Sequence, residues 1–395
     1  MSSTCGLACG TMEFDFDQVI ERRGTRSLKW EAYGGQDVIP MWVADMDFQA
    51  PPAVIEALHR RVAHGIFGYT VAAEELASVV VARCRDHYGW TIEPDWLVWL
   101  PGVVPGLLAA CRAFSAPDDE IVTFTPVYPP FLTAPGQSGR RLVSIPLVRR
   151  AGRYTIDLAA LEAAITPRTR LLLLCHPHNP VGRVFDRTEL SAVAEICRRH
   201  AITICSDEIH CDLILNGTAH VPIAALSPNV AAASVTLMSP GKTFNTAGLN
   251  MGFAIIPDGE RRARYQAVCK GVLPEPNLMG LTACLAAYRE GEAYRQALIK
   301  TLARNAAHVL AFVRSELPAL SMTPVEATYL AWIDVTALGQ ANPASFFREA
   351  GVGLSPGSAF GGEGHVRLNF GCPLPLLAQG LERMHAAVAA RHARN

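Results

Sequence analysis

The amino-acid sequence predicts an α/β protein in which helices flank a mainly parallel sheet. Residues 170–175, 201–205 and 234–238 are short, continuous apolar runs, which are typical of strands buried on both faces. A helical pattern from about 187 to 200 lies between the first two runs and begins with the spacing of a capping box. This strand–helix–strand order implies parallel strands joined by right-handed crossovers.

Polar residues follow the predicted strands at the points where the strands end. Asn179, Asp207 and Lys242 all occupy such positions, and open α/β sheets bind their ligands beyond the carboxyl ends of the strands. A lysine desolvated there can form a Schiff base with an aldehyde, and a carboxylate can keep a pyridine nitrogen protonated. This combination suits pyridoxal phosphate. Taken singly, each residue also has a plainer interpretation, as a turn former, a helix N-cap or a loop lysine.

A candidate phosphate site lies earlier in the chain. The sequence PGVVPGL at 101–107 follows an apolar stretch and opens a helical pattern that runs from 107 to 114. A glycine-containing turn into a helix N-terminus is a natural anion site, because backbone N–H groups are free there. The hydroxyl of Ser239 could add a donor. Tyr128 could supply an aromatic platform for the ring, although a core tyrosine is the plainer interpretation.

Composition limits the other function classes. A chain of 395 residues is long enough for two domains. Its formal net charge of −1 gives no electrostatic basis for binding nucleic acid or an anionic membrane. No apolar run reaches the roughly 18 residues of a membrane-spanning helix, and the first residues lack the basic start and apolar stretch of a signal peptide. We therefore expect a cytoplasmic protein whose first dozen residues are mobile.

Eleven cysteines are scattered along the chain without a Cys-x-x-Cys pair. Their odd number, and the position of several inside apolar runs, favour free thiols in a reducing compartment over a disulfide framework. One alternative is a metal site, since several metal-capable residues could cluster in space, namely His176, His178, Asp207, His210 and Cys211. Their spacing matches no known ligand pattern, so no metal is expected.

Eight sequence segments, spread in order over nearly the whole chain, carry a family resemblance. They are MWVADMDF at 41–48, FGYT at 67–70, PGVVPGL at 101–107, TPVYPPF at 125–131, HPHNPVGRVF at 176–185, SDEIHCDL at 206–213, SPGKTFNTAGL at 239–249 and SPGSAFGGEGHVRLNFG at 355–371. With them the chain resembles the fold-type I pyridoxal-phosphate enzymes of the class I/II aminotransferase superfamily. Within that superfamily it resembles the MalY/PatB group of cystathionine β-lyases.

The resemblance implies a division of the chain into domains. A large cofactor-binding domain at 55–285 would hold a mainly parallel seven-stranded sheet flanked by helices. A smaller α+β domain would comprise 286–395, with an N-terminal segment at 1–54 that contributes to the small domain and to the active site. Residues 283–312 show the helical pattern of a long connecting element, and residues 271–276 form a predicted loop that could lie near the substrate.

The resemblance also implies roles around the cofactor ring. Lys242 would be the Schiff-base lysine and the base that acts at the substrate's α-carbon. Asp207 would pair with the pyridinium nitrogen, and Asn179 would hydrogen-bond the phenolate oxygen. Tyr128 would stack on the ring. His210 stands where ordinary aminotransferases often carry a tyrosine, and it would also face the phenolate side.

Phosphate contacts are implied on both sides of a dimer. Val103, Val104 and Ser239 would hold the phosphate through backbone and hydroxyl donors. Tyr69 would reach the phosphate of the neighbouring subunit, so that a homodimer shares its active sites. Ordinary aminotransferases commonly carry an arginine eight residues after the lysine, but Asn250 occupies that position here. The β-lyase-like group also tends to lack this arginine.

The substrate implied by the resemblance is an amino acid. Arg367 would bind its α-carboxylate, a task suited to a guanidinium that can form two parallel hydrogen bonds. Trp42, in the first of the eight segments, is assigned to the substrate site as well. No second arginine motif is evident for an acidic side chain, which favours neutral or amphoteric substrates such as cystathionine.

Three function classes fit these residues, and fold alone does not decide between them. The expected one is a carbon–sulfur β-lyase that cleaves L-cystathionine, or another cysteine S-conjugate, to a thiol, pyruvate and ammonia. The alternative is an aminotransferase that uses the same cofactor. The third is a regulatory or binding protein on the same scaffold.

Overall fold

A computed structural model describes residues 14–392. The expectation that the first dozen residues are mobile therefore lies outside the described residues. The helices of the described chain are α1 (Leu28–Glu31), α2 (Pro52–His64), α3 (Glu74–Tyr88), α4 (Val103–Phe114), α5 (Pro129–Gln137), α6 (Leu158–Ala164), α7 (Arg187–Arg199), α8 (Pro228–Ala232), α9 (Gly259–Val272), α10 (Leu278–Glu290), α11 (Glu292–Glu316), α12 (Pro343–Glu349) and α13 (Leu374–His392).

The strands are β1 (Ile39–Pro40), β2 (Leu97–Leu100), β3 (Glu120–Thr125), β4 (Arg141–Pro146), β5 (Val148–Arg150), β6 (Arg153–Thr155), β7 (Thr169–Cys175), β8 (Thr203–Asp207), β9 (Ser234–Met238), β10 (Gly252–Ile255), β11 (Ser321–Met322), β12 (Leu330–Asp334), β13 (Val352–Gly353), β14 (Ser355–Pro356) and β15 (His365–Asn369). Seven of them form the main sheet, in the order β2-β10-β9-β8-β7-β3-β4.

The main sheet is parallel except at one strand. From β9 to β4 the neighbouring strands all pair in parallel, whereas β10 runs antiparallel to both β2 and β9. Every residue of β8 and β9 is buried, which explains why these strands are continuous apolar runs rather than alternating ones. The predicted α/β fold with a mainly parallel seven-stranded sheet is confirmed.

Helix α7 begins as the sequence predicted. The side chain of Asp186 accepts hydrogen bonds from the backbone N–H groups of Thr188 and Glu189, and the Glu189 side chain accepts one from the backbone N–H of Asp186. This reciprocal capping satisfies donors that the first helical turn cannot pair internally. The helix then connects β7 to β8 and brings their carboxyl ends to the same edge of the sheet.

The long helix predicted at 283–312 is instead two helices. Helices α10 and α11 meet at Gly291. A β-carbon at this position would overlap the carbonyl oxygen of Ala287 and the ring of Phe244, so only glycine allows the chain to pass so close. The helical periodicity continues through the break, and the sequence pattern alone therefore did not show it.

A second, antiparallel sheet follows the long helices, with the strand order β11-β12-β15-β14. One apolar core joins this sheet and helix α13 to N-terminal residues such as Phe16, Met41 and Met46. Other cores cover the faces of the main sheet. The domain boundaries remain a prediction. Within residues 14–392 no helix has the length and apolarity needed to cross a membrane.

Candidate active site

The ends of three neighbouring parallel strands deliver the polar side chains of one cavity. Asn179 follows β7, Asp207 is the last residue of β8, and Ser239 and Lys242 follow β9. The cavity has a volume of about 310 Å³. Eight residues predicted from the sequence line it: Val103, Val104, Tyr128, Asn179, Asp207, His210, Ser239 and Lys242.

Lys242 presents its amine to this cavity. The ammonium nitrogen Nζ donates to the carbonyl oxygen of Ala44 at 2.6 Å. Burial, assisted by the positive charge of Arg367, lowers the pKa of Lys242 to about 8, although Asp45 and Asp207 act in the opposite direction. A larger fraction of this amine is therefore neutral near pH 7 than of an ordinary lysine, which makes it a better nucleophile and base.

Asp207 is buried beside the lysine, with 4% of its surface exposed. Its Oδ1 accepts a hydrogen bond from the backbone N–H of Ile209 at 3.1 Å. Burial raises the pKa of this carboxyl to about 7, although the Ile209 N–H and the charge of Lys242 both favour the ionised form. A further cation placed against Asp207 would complete its ionisation, because an opposite charge stabilises a buried carboxylate.

Arg367 lies next to the cavity and is held by backbone and side-chain oxygens. Its Nη1 donates to Oδ1 of Asn179 at 3.1 Å, and its Nη2 donates to the carbonyl oxygen of Trp42 at 2.7 Å. The guanidinium also lies over the ring of Phe360, 4.5 Å from the centroid. Its Nε has no hydrogen-bond partner among residues 14–392. A buried, oriented guanidinium with a donor to spare is suited to bind a carboxylate.

Tyr128 and His210 lie on the walls of the cavity. Tyr128 directly precedes α5, and its backbone N–H donates to the carbonyl of Asn179 at 3.1 Å. His210 is 2% exposed, and burial holds its pKa well below the usual range, with Lys242 and Arg367 adding to the effect. The imidazole is therefore neutral, and its Nδ1 has no partner within the described chain.

The N-terminus of α4 also lines the cavity. Gly102 precedes the helix with a φ of 136°, a conformation that favours glycine. It leaves the backbone of Val103 and Val104 facing the cavity, where a helix N-terminus favours an anion. The hydroxyl of Ser239 donates to the carbonyl of Met251 at 2.6 Å, so it would have to rotate before it could donate to an anion.

These observations fit pyridoxal phosphate. The cavity combines an amine of lowered pKa, a buried carboxyl that lacks a full counter-charge, an amide, an aromatic wall and a helix N-terminus. An aromatic aldehyde with a basic ring nitrogen and a phosphate group presents a complementary group to each of them.

Besides Arg367, which lies next to the cavity, two predicted site residues do not line it. Tyr69 is fully exposed and lines a separate groove together with Trp99 and residues 274–279. The predicted loop at 271–276 therefore contributes to this groove, and none of its residues lines the cavity. The indole of Trp42 donates to the carbonyl of Lys29 at 3.0 Å, and it is the backbone oxygen of Trp42 that contacts Arg367. The roles of Tyr69 and Trp42 stay predictions.

The metal alternative gains no support from the arrangement of its residues. Asp207 and His210 line the cavity, whereas His176 stacks on His220 with 4.6 Å between ring centroids. Across residues 14–392 there is no group of three or more His, Cys, Asp or Glu side chains placed to hold a metal ion.

Two further residues at the site were not identified from the sequence. The carbonyl of Ala44 binds Lys242, and the buried hydroxyl of Tyr329 donates to the same oxygen at 2.9 Å. The segment that contains Ala44 was among those that carry the family resemblance, but a main-chain oxygen has no residue type to recognise. Tyr329 lies in an apolar stretch that indicates a strand, and nothing local distinguishes it from a core residue.

The fold and the cavity define a class of α/β proteins that carry a lysine and a carboxylate at the carboxyl edge of a parallel sheet, facing a helix N-terminus. The chain belongs to the family described as aminotransferase class I and II, whose model matches residues 36–384.

Individual relatives agree with this assignment. The chain is 41% identical over 386 residues to "Cystathionine beta-lyase PatB" of Bacillus subtilis, an alignment that covers 95% of this chain and all of the relative. Among solved structures, that of OvoB is 46% identical with a TM-score of 0.93 and covers 95% of this chain and 99% of that one. The PLP-bound C-S lyase from Staphylococcus hominis is 33% identical with a TM-score of 0.90, and the match covers 95% of this chain and 98% of that one. The resemblance to the PatB group is confirmed.

Proposed function

We propose that the chain is a pyridoxal-5'-phosphate-dependent carbon–sulfur β-lyase. It cleaves L-cystathionine or another cysteine S-conjugate, with water, to a thiol, pyruvate and ammonia. The observation that carries the proposal is the placement of Lys242 and Asp207 in one cavity beside Arg367. This placement occurs in a chain that is 41% identical to a named cystathionine β-lyase.

Each part of the proposed cofactor has a partner in the cavity. Lys242 would attach the aldehyde, Asp207 would face the ring nitrogen, and the N-terminus of α4 would hold the phosphate. The Oδ1 of Asn179 accepts from Arg367, so its Nδ2 is the atom that can donate to the ring oxygen. When bound, pyridoxal phosphate supplies an electron sink for the pair of electrons left at the substrate's α-carbon.

The side chains then carry out binding and proton transfer. Arg367 binds the α-carboxylate of the substrate and so fixes the α-carbon near Lys242. The amine of Lys242, which the amino group of the substrate would displace from the aldehyde, is then free to take the α-proton, and its pKa is lowered to about 8. The thiolate leaves from the β-carbon with the electrons of the carbon–sulfur bond, and the remaining three-carbon unit is hydrolysed to pyruvate and ammonia.

The leaving group decides between elimination and transamination. Both reactions begin with the same proton transfer to Lys242, and Asp207 assists both equally. A thiolate is a good leaving group, so elimination is expected whenever the β-carbon carries sulfur. Among the described residues that line the cavity, Lys242 is the one cationic side chain. Arg367 beside the cavity is assigned to the α-carboxylate, so the described lining offers no further cation for a second carboxylate, which favours substrates with neutral or amphoteric side chains over dicarboxylic ones.

A product panel tests the proposed reaction. Purified protein supplied with L-cystathionine or simple S-alkylcysteines should release pyruvate, ammonia and free thiol in equal amounts, with no keto acid added. Turnover that requires a keto acid, and returns it aminated while sulfur stays on the substrate, would show an aminotransferase instead. Release of all three products by some members of the panel and not others would identify the substrate class.

Borohydride tests the cofactor assignment separately. The purified protein should be yellow, and reduction should leave the mass of the cofactor on the peptide that contains Lys242. Lys242→Ala should lose both the colour, after dialysis, and the modified peptide. Colour or turnover that is removed by a chelator and unaffected by borohydride would instead indicate a metal site.

We also propose a homodimer with shared sites in the cytoplasm. Ile66, Phe67 and Val71 are exposed around Tyr69, and an exposed apolar stretch of this kind is typical of a surface covered by another chain. A second copy would then bring its Tyr69 to the phosphate end of this cavity. The nine cysteines within the described residues are free thiols, which supports a reducing compartment.

A further inference from the structure

Five consecutive backbone carbonyls at residues 42–46 all accept hydrogen bonds from side chains. We call this segment the carbonyl strap. It binds both cationic side chains of the site, because Lys242 and Arg367 are among its donors. The donors are Arg367 and Ser355 to Trp42, Asn369 to Val43, Lys242 and Tyr329 to Ala44, Asn369 and Lys29 to Asp45, and Arg22 and Asn245 to Met46.

The Ala44 oxygen is shared between two donors. Lys242 Nζ approaches it at 2.6 Å and the Tyr329 hydroxyl at 2.9 Å. Asn369 fixes the two flanking carbonyls, donating to Val43 and to Asp45 at 2.6 Å each. The Ala44 carbonyl thus lies between two carbonyls that Asn369 fixes, and its contact with Lys242 is the one that it shares with Tyr329.

The backbone is strained at the residue that precedes Tyr329. The preceding residue, Thr328, has a φ of 76°, a conformation that is unfavourable for a β-branched residue. The backbone N–H of Thr328 donates to Leu213 at 2.9 Å, and Tyr329 itself is fully buried, edge-on to His210 with 5.9 Å between ring centroids. Strain of this kind persists where the surrounding structure needs a particular side-chain position.

We propose that Tyr329 is a positioning residue for the proton transfer by Lys242. Its hydroxyl donates to the same Ala44 carbonyl and so weakens the hydrogen bond between that carbonyl and the protonated amine. The inference rests on the proposed function, in which Lys242 takes a proton from the α-carbon and must lose it before the next turnover. A carbonyl with one donor would stabilise the ammonium more strongly than a carbonyl with two.

Other charged and titratable groups face the same amine. Asp207 at the end of β8 and Asp45 in the carbonyl strap favour its charged form, whereas Arg367 on β15 disfavours it. His210 is neutral and adds no charge. The Tyr329 hydroxyl contributes a dipole with its hydrogen toward the shared oxygen, which opposes protonation of Lys242. Removing that hydroxyl should raise the pKa of the amine.

The test compares two tyrosine variants in the full-length chain prepared without cofactor. Tyr329→Phe should raise the apparent pKa of Lys242 by about half a unit, a typical effect of one hydrogen bond. The readout is the pH dependence of acetic anhydride labelling at Lys242, located by peptide mass spectrometry. Tyr294→Phe is the matched control, because buried Tyr294 donates to the backbone carbonyl of Gln49 at 2.7 Å, outside the carbonyl strap. It should leave the labelling profile unchanged.

A second variant keeps the test informative if Tyr329→Phe fails to fold. Placing 3-fluorotyrosine at position 329 preserves the side chain and makes its hydroxyl a stronger donor, so the pKa of Lys242 should fall. An unchanged or lowered pKa in Tyr329→Phe, an equal shift in Tyr294→Phe, or an unchanged pKa with 3-fluorotyrosine would each overturn the proposal.

A measurement on the cofactor-loaded enzyme separates this proposal from the proposed function. L-alanine carries no leaving group, so its α-proton should exchange in D₂O with an acid limb set by Lys242, and that limb should move to higher pH in Tyr329→Phe. Absence of exchange in the unmodified enzyme would count against the proposed function, while the labelling result would still decide the role of Tyr329.

Discussion

The cavity and the exposed segment at 66–71 differ in how far their side chains find bonding partners within one chain. At the cavity, Lys242 and Asn179 each have a defined partner, and so does Arg367 beside it. In the exposed segment, the side chain of Tyr69 is fully exposed and lines an open groove. The phosphate end of the cavity lies between these extremes, because it offers backbone amides and a Ser239 hydroxyl that already donates elsewhere. One chain thus provides the ring end of the proposed site, and the phosphate end is where a second chain would contribute.

Removing the central amine should have the largest effect. Lys242→Ala is expected to lower turnover of S-alkylcysteines by about 10²–10⁴-fold, the usual contribution of a positioned acid–base group. Steady-state rates of pyruvate release measure this loss. Far-ultraviolet circular dichroism should show an intact fold, and activity within tenfold of the unmodified enzyme would be incompatible with the assigned role.

Removing the charge beside the ring should have the next largest effect. Asp207→Asn keeps the size of the side chain but cannot balance a protonated ring nitrogen, so turnover should fall by about 10- to 100-fold, as expected for losing a charged hydrogen bond. The visible spectrum of the loaded protein should change as well. Asp207→Glu, which retains the charge, should lose less, and equal losses in both variants would indicate a purely steric role.

The carboxylate site allows a test of geometry at constant charge. Arg367→Lys retains a cation but loses the planar fork that Asn179 and the Trp42 carbonyl hold in place. KM for an S-alkylcysteine should rise by about tenfold, with a smaller change in kcat. Initial-rate kinetics separate the two constants, and a fall in kcat at unchanged KM would argue against carboxylate binding.

The pH dependence of the free energy of unfolding should reveal the raised pKa of the buried Asp207 carboxyl. The pKa of Asp207 is raised from its ordinary value to about 7, so the folded, cofactor-free chain keeps this proton at pH values where the unfolded chain has lost it. The resulting stabilisation is complete below about pH 4 and is lost as the pH rises to 7. The Tm of Asp207→Asn should therefore fall less between pH 5 and 7.5 than that of the unmodified chain. Equal slopes would contradict the raised pKa.

A substitution in the exposed segment should have the smallest effect on activity. Tyr69→Phe removes one phosphate donor and should weaken activity by only a few-fold, consistent with the net value of one hydrogen bond. Mixed with Lys242→Ala, it should form hybrid dimers in which one site has neither defect. Activity of the exchanged mixture should then exceed the mean of the activities of the two parents, which is the value expected if each site were built within one chain. No gain, once subunit exchange has been demonstrated, would mean that each site is built within one chain.

Local sequence patterns were sufficient for the parts of the site that follow strands. Asn179, Asp207 and Lys242 could be placed at one sheet edge because the apolar runs before them identify buried parallel strands. Patterns were insufficient where distant segments meet. The Ala44–Tyr329 contact joins residues 285 positions apart, and the break at Gly291 depends on the nearby ring of Phe244. Tyr69 could be assigned only through the family resemblance, since its side chain is fully exposed among residues 14–392.

The carbonyl strap has a consequence for mutagenesis of this enzyme. Its contribution to the site comes from peptide oxygens, which every amino acid carries, so an alanine scan across residues 42–46 would leave each of these acceptors in place. Chemical synthesis can alter these peptide oxygens. Replacing Asp45 by the corresponding α-hydroxy acid converts the peptide bond between Ala44 and Asp45 to an ester, and the Ala44 carbonyl then becomes a weaker acceptor. Such backbone editing would weaken the partner of the Lys242 ammonium without altering any side chain that faces the cavity.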